Sequence, residues 1–429
     1  MRIDRLEIQN FNGFESCEID FDPHFNLLVG DNASGKSSVL DALSILLNAW
    51  LLAINEKEME GNIPPDSIRV VAYPHQDSYS FEKQYPVRIV ISGMVMECNV
   101  IWSLSQLNRQ KSTTYADIEQ LRQIADETAH KVMKNISVTL PLIGNYGTER
   151  LWFETRHRKH RQSEDIEKSQ PSRLDGYEDC NEFEIQETAL LQWIRAQVVD
   201  GIQLGKMPIA FRALERAVIA CVEGATSLSY SERYKDAIVG IRSVSMQPFN
   251  MQFFKNLSDG QRIMLTLIGD IVRRATMLNP HLGEEVLQKT PGIVLIDELD
   301  LHLHPKWQRR IIHDLKHTFP AIQFITTTHS PQLIGEAKPN EIRIISDGKA
   351  YIPPHSFGLD SSRVLGEIQG APQRDPGVES LIHEIALAID DEQFDTARKQ
   401  ILELEGQVGA DDAEVTRQRS LLKFMEAPL

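Results

Sequence analysis

The stretch Gly30-Asp31-Asn32-Ala33-Ser34-Gly35-Lys36-Ser37 limits the fold more than any other part of the sequence, because it matches G-x-x-x-x-G-K-S in full. It follows the run Asn26–Val29, which reads as a strand, and it opens a segment, Ser37 to about Ala53, that is apolar at helical spacing. A glycine-rich turn between a buried strand and a helix lets successive N–H groups face one point, and the helix N-terminus adds partial positive charge there. That arrangement suits a phosphate chain. The candidate ATP-binding positions are Gly30, Asn32, Ala33, Ser34, Gly35, Lys36, Ser37 and Ser38. Lys36 is expected at the β- and γ-phosphates, with the Ser37 hydroxyl on Mg²⁺. At average residue frequencies such a match arises by chance in roughly 1 % of chains of this length, and the strand–loop–helix setting makes chance rarer still.

Gly292-Ile293-Val294-Leu295-Ile296-Asp297-Glu298 is a buried-strand pattern that ends in two carboxylates. Asp297 is suited to hold Mg²⁺ and Glu298 to take a proton from an attacking water. Leu257-Ser258-Asp259-Gly260-Gln261 lies upstream of that pair, with Gln261 about 35 residues before Asp297, and it opens a helix expected over Gln261–Met277. A serine hydroxyl, glycine amides and a helix N-terminus again suit a γ-phosphate. About 30 residues after Asp297, the strand pattern Gln323–Thr326 runs into Thr327-Thr328-His329-Ser330. A lone histidine at a strand end is more often structural. His302 and His304 could suggest a metal pair, but no further ligands cluster with them.

In this order the elements resemble the ABC-type ATPases. The resemblance implies an α/β head with a mixed, largely parallel sheet flanked by helices, a helical or loop insertion, and a small C-terminal helical bundle. It implies ATP and Mg²⁺ as cofactors, with Ser37 and Asp297 on the metal, and Glu298 and His329 as catalytic residues. It also implies that Leu257, Ser258, Asp259, Gly260 and Gln261 contact nucleotide held by a second copy, and that Asp300 meets its twin in the D-loop of a homodimer. The family's Q-loop glutamine could be Gln76 or Gln84, and adenine contacts are expected near Asn12–Phe14.

Alternation of helix and strand after Leu257 predicts a parallel sheet covered by helices. Earlier strands are expected at Arg2–Gln9, Cys17–Phe21, Phe25–Val29, Val87–Ile91, Val95–Ile101 and Ile136–Ile143, with helices at Ile118–Met133, Thr188–Val199 and Ile209–Val222. The expected organisation is an N-terminal ATPase lobe over 1–150, a polar insertion and helical region over 151–240, a C-terminal lobe over 241–355, and an acidic helical region over 356–429.

Composition removes some function classes. Hydrophobic residues are 41 % and charged residues 25 %, ordinary for a globular chain. The longest apolar stretch, Ala42–Ile54, reads as a buried helix too short to span a bilayer. The start of the chain lacks a signal-peptide core, and the four cysteines are scattered, so a cytoplasmic setting with reduced thiols and no membrane partner is expected. Net charge is −16, and Asp375–Leu429 alone carries 13 acidic and 5 basic residues, a net of −8. Nucleic acid would have to meet a local basic patch, and Arg156-His157-Arg158-Lys159-His160-Arg161 is the one candidate run.

A narrower resemblance rests on Ile8-Gln9-Asn10-Phe11-Asn12-Gly13-Phe14, Tyr146-Gly147-Thr148-Glu149-Arg150-Leu151-Trp152, Ser172-Arg173-Leu174-Asp175-Gly176-Tyr177, Leu301-His302-Leu303-His304-Pro305-Lys306-Trp307-Gln308 and Thr328-His329-Ser330-Pro331. These are similar to the bacterial ATP-binding proteins that include the ATPase of the Septu anti-phage system and its retron-linked cousins. Glu149 departs from the pattern, where a small residue is expected. This resemblance implies a defence complex in which the ATPase, a nucleotide-sandwich dimer or higher oligomer, controls an HNH nuclease partner, with nucleic acid reached through the complex. A recombination or repair ATPase of RecF/SMC-like type acting directly on DNA is the alternative.

Overall fold

The computed structural model describes residues 1–55, 63–76, 78–110, 113–148, 172–180, 187–242 and 250–426. It divides into two compact units, Met1–Asp360 and Ser361–Leu429. The centre of the first is a six-stranded sheet in the order β16-β15-β3-β14-β13-β9. Its strands are β3 (Phe25–Val29), β9 (Leu142–Tyr146), β13 (Gly292–Ile296), β14 (Ile322–Thr327), β15 (Ile342–Ser346) and β16 (Lys349–Tyr351). Neighbours from β15 to β9 are parallel, and only β16 turns back antiparallel. Every residue of β3, β9, β13 and β14 is buried, which a strand covered by helices on both faces requires.

The N-terminal strands behave differently. β1 (Arg2–Phe11) and β2 (Phe14–Asp20) alternate buried and exposed positions. They join β6 (Val87–Val95), β7 (Cys98–Gln106) and β8 (Thr114–Ala116) in an antiparallel sheet of order β2-β1-β6-β7-β8. Gln323 of β14 ties the two sheets together: its side chain accepts from Ile3 N and donates to Ile3 O, both at 2.8 Å, and donates to Asp22 O at 2.9 Å. A small hairpin, β4 (Val70–Pro74) with β5 (Tyr79–Lys83), precedes β6, and a three-stranded antiparallel sheet is made by β10 (Ala225–Ser231), β11 (Asp236–Ile241) and β12 (Asn250–Phe253).

The helices of this unit are α1 (Lys36–Ile54), α2 (Glu119–Met133), α3 (Glu187–Leu204), α4 (Ile209–Cys221), α5 (Asp259–Leu278), α6 (Val286–Lys289), α7 (Pro305–Thr318) and α8 (Pro331–Glu336). α1 is longer than the apolar stretch that suggested it, and by length and mean hydropathy (1.7) it could cross a membrane. Here it is a core helix: Leu43, Leu46, Leu47 and Trp50 are fully buried, and Trp102 donates to Leu46 O at 3.0 Å. The second unit holds α9 (Ser361–Glu367), α10 (Pro376–Asp390), α11 (Phe394–Val408) and α12 (Ala413–Met425). Leu381, Ile385, Ile389, Ile401, Leu404 and Leu422 form much of its own core.

This is the expected α/β architecture, with helices around a mixed, largely parallel sheet. The strand expected over Ile136–Ile143 needs correction. The strand is Leu142–Tyr146, because Pro141 has no N–H for a ladder and the Leu140 backbone bonds the Asn279 side chain instead. The run Arg156–Arg161 and the segment Glu149–Trp152 lie outside the described residues.

Candidate active site

The glycine loop after β3 is built by close approach. A Cβ at Gly30, whose φ is +158°, would sit 2.4 Å from Ile345 O. Gly35 has φ +101°, and a Cβ there would lie 2.3 Å from the Phe14 ring. The turn Asn12–Phe14 between β1 and β2 is thus packed on the loop, which is where adenine contacts were expected. Lys36 is nearly buried and donates to Gly30 O at 2.9 Å and Asp31 O at 2.8 Å. Burial lowers its pKa, with Asp297, Asp31 and Glu298 opposing that shift. The Ser34 Oγ is buried in the loop without a hydrogen-bond partner.

The fold brings Ser37 and Asp297 together across 260 residues: Ser37 Oγ donates to Asp297 Oδ2 at 3.0 Å. β3 and β13 are not neighbours in the sheet; β14 runs between them, and its end completes the site. Thr327 Oγ1 donates to Asp297 Oδ1 at 2.5 Å and accepts from Glu298 N at 2.7 Å. Glu298 adopts φ +49°, an uncommon conformation for this residue, and the turn around it is held by Leu299 N to Thr327 O and Leu301 N to Glu298 O, both at 3.0 Å. Thr328 Oγ1 donates to Asp300 Oδ1 at 2.5 Å. His329, next in the chain, is exposed after an entirely buried strand.

Thr327 and Thr328 were not singled out from sequence, although the run of three threonines before His329 was visible. Asp41 was missed as well. It lies one helical turn beyond Ser37, and burial, followed by the charge of Asp297, pushes its carboxyl up to about 6.

Leu257–Gln261 forms the capped start of α5. Ser258 is the N-cap, accepting from Gln261 N at 3.4 Å, and Gln261 Oε1 returns a bond to Ser258 N at 3.2 Å. Ser258 and Asp259 are exposed. Gly260 is forced by crowding: a Cβ would lie 2.5 Å from His302 O. This Leu257–Gln261 turn, which resembles the ABC signature L-S-x-G-Q, therefore rests on the loop that carries Asp300. Neither glutamine candidate is engaged with these residues by a described bond: Gln84 donates its amide to Glu82 O at 3.0 Å, and Gln76 sits exposed at the β4–β5 turn.

Residues 1–85 match the family described as "AAA ATPase domain" and residues 250–335 match "AAA domain, putative AbiEii toxin, Type IV TA system". The first segment contains the glycine loop; the second contains the signature, the Asp297–Glu298 pair and His329. "Retron Ec83 probable ATPase" of Escherichia coli is 29% identical over 96% of this chain and 85% of its own length. "Septu protein PtuA" of Bacillus thuringiensis is 32% identical over 33% of this chain and 38% of that protein. Among solved structures, the SMC head domain from Thermotoga maritima superposes with a TM-score of 0.44 at 16% identity, covering 83% of this chain and 100% of that one. The chain is an ATPase, homologous to retron ATPases and to the Septu protein PtuA.

Proposed function

We propose that the protein binds Mg-ATP between two copies of itself and hydrolyses it. The glycine loop of one protomer (Gly30–Ser37) and the start of α5 of the other lie on opposite sides of the triphosphate. The observation that carries this reading is the Ser37–Asp297 pair beside Glu298, in a chain with a second, exposed helix N-terminus at Ser258. In this reading Lys36 leaves its two loop carbonyls for the phosphates, and the partnerless Ser34 hydroxyl gains an acceptor. Ser37 and Asp297 are hard oxygen donors fitted to Mg²⁺, which when bound neutralises phosphate charge. Glu298 takes the proton of the attacking water, His329 donates to the γ-phosphate, and Asp300, fixed by Thr328, faces its counterpart.

The sequence resemblance to Septu and retron-linked ATPases extends the proposal to anti-phage defence, with nuclease chemistry supplied by an HNH-type partner whose activity the ATP cycle controls. The acidic second unit is the proposed docking surface: Leu387, Leu402 and Phe424 are 50%, 63% and 77% exposed on helices that otherwise close their own core.

The deciding experiment is the mass in solution of Glu298→Gln and Ser258→Arg proteins, with and without Mg-ATP. The Glu298→Gln protein is expected to hold ATP in a stable dimer or larger assembly, and Ser258→Arg to lose nucleotide-dependent association. If neither change affects turnover or association, the base and signature assignments fall. Strong stimulation of turnover by DNA with no protein partner would favour a direct DNA-acting ATPase instead.

A further inference from the structure

The signature helix is bolted to the central sheet by a buried charged cluster that phosphate chemistry does not require. Asp270, midway along α5, receives Tyr146 Oη at 3.0 Å and Arg274 Nε at 2.7 Å on Oδ2, and Arg273 Nη2 at 2.7 Å on Oδ1. Arg274 also donates to Gly176 O at 3.1 Å and Glu178 O at 2.7 Å. Burial works against the Asp270 charge, but the two guanidinium groups bring its carboxyl below the usual range. Further along, Arg173 donates to Leu278 O at 2.8 Å, and Asn279 closes a two-bond pair with the Leu140 backbone at 2.7 and 2.9 Å. Tyr146 is the last residue of β9, and its carbonyl accepts from Asp297 N at 2.9 Å.

We propose that Tyr146, Asp270 and Arg274 are positioning residues: a clasp that fixes the register of the signature helix against β9, so that Ser258 and Asp297 move as one body. The inference rests on the ATP-sandwich reading above. Buried ionic clusters contribute little net stability compared with apolar residues of similar volume, so stability alone does not explain this one. Directional bonds forbid the slip or tilt that apolar contact tolerates. Ser258 lies 12 residues from Asp270, about 18 Å along the helix at 1.5 Å per residue. A tilt of roughly 10° about the clasp would carry Ser258 about 3 Å, where even 1 Å of misplacement can cost on the order of a hundredfold in rate. The contact of Gly260 with His302 O passes any such movement to the Asp300 loop.

Two variants test this. Tyr146→Phe removes only the hydroxyl. The triple change Tyr146→Phe, Asp270→Leu, Arg274→Met replaces the charges by apolar bulk; Arg273, whose side chain is 19% exposed, can still reach solvent. Thermal unfolding, nucleotide affinity of the monomer, kcat, KM and Mg-ATP-dependent association are measured for both. An unfolding temperature lowered by at most about 4 °C and an unchanged nucleotide affinity are expected, with kcat and association reduced by about tenfold or more at unchanged KM. If kcat and association stay within about twofold of the parent in both variants, the clasp is a structural filler and the proposal is overturned. Should the triple variant fail to fold, the same criterion on Tyr146→Phe decides. Ser258→Arg runs alongside: undiminished turnover there would overturn the sandwich reading itself, whereas its loss beside normal turnover of both clasp variants overturns only the clasp.

Discussion

Replacing Thr327 by valine keeps the side-chain shape and removes one oxygen, and that oxygen serves two active-site groups. It donates to Asp297 at 2.5 Å and accepts from the Glu298 amide at 2.7 Å. A hydrogen bond to a charged group is worth about 1.5–3 kcal/mol, and an amide left unpaired away from water costs about 1–3 kcal/mol. The carboxylate is half-exposed and can recover some solvation, so a combined loss of about 3 kcal/mol is reasonable. With about 2.1 cal/mol/K of unfolding entropy per residue over the 360-residue unit, that lowers Tm by about 4 °C. The larger effect falls on chemistry. Glu298 sits at φ +49° in a turn that the Thr327 side chain and carbonyl both hold, so kcat is expected to fall about 10- to 100-fold with KM little changed. Thr327→Ser restores the oxygen and should recover most of the rate. Steady-state ATPase kinetics and differential scanning calorimetry on the three proteins suffice. A Thr327→Val enzyme within about twofold of the parent in kcat would refute the view that this hydroxyl orients the carboxylate pair.

Gly35→Ala places a methyl group against the Phe14 ring at a φ that side chains rarely adopt, so nucleotide affinity measured by titration calorimetry should drop by at least about tenfold; Gly35→Ala with added Phe14→Leu should recover part of it. Asp41→Asn tests the raised carboxyl through pH. Its folded pKa of about 6 exceeds the free value of 3.8, so its contribution is fully favourable below about pH 4 and is lost as pH rises through 6. The asparagine protein should therefore be more stable by about 1–2 kcal/mol near pH 7.5, allowing for its partial exposure, with that advantage vanishing near pH 4. An advantage equal at both pH values would show that Asp41 does not titrate as described. Deleting residues 361–429 should leave ATP binding by the first unit intact and abolish capture of a nuclease partner in a pull-down; a partner still bound would remove the docking role.

The chemistry-bearing segments were legible because each is local. A strand, a glycine turn and a helix start are written in consecutive residues, so Gly30–Ser37, Asp297–Glu298 and Leu257–Gln261 could be read from the sequence with their order and spacing. The largely apolar runs of β3 and β13, with the alternation of helix and strand after Leu257, also announced a buried parallel sheet. Other features were decided only in three dimensions. Nothing in the period of residues 225–253 announced a three-stranded sheet, and Pro141 delayed the start of the ninth strand to the last two residues of the run that suggested it. The pairing of Thr327 with Asp297, of Phe14 with Gly35, and of Tyr146 with Asp270 each joins segments separated by 21 to 124 residues. Such contacts depend on the order in which strands enter a sheet and on which helix covers which strand. Hydrophobic periodicity encodes which face of an element is buried, but not which element it will meet, and that is why the candidate reacting groups were readable in the sequence while the residues that contact them were not.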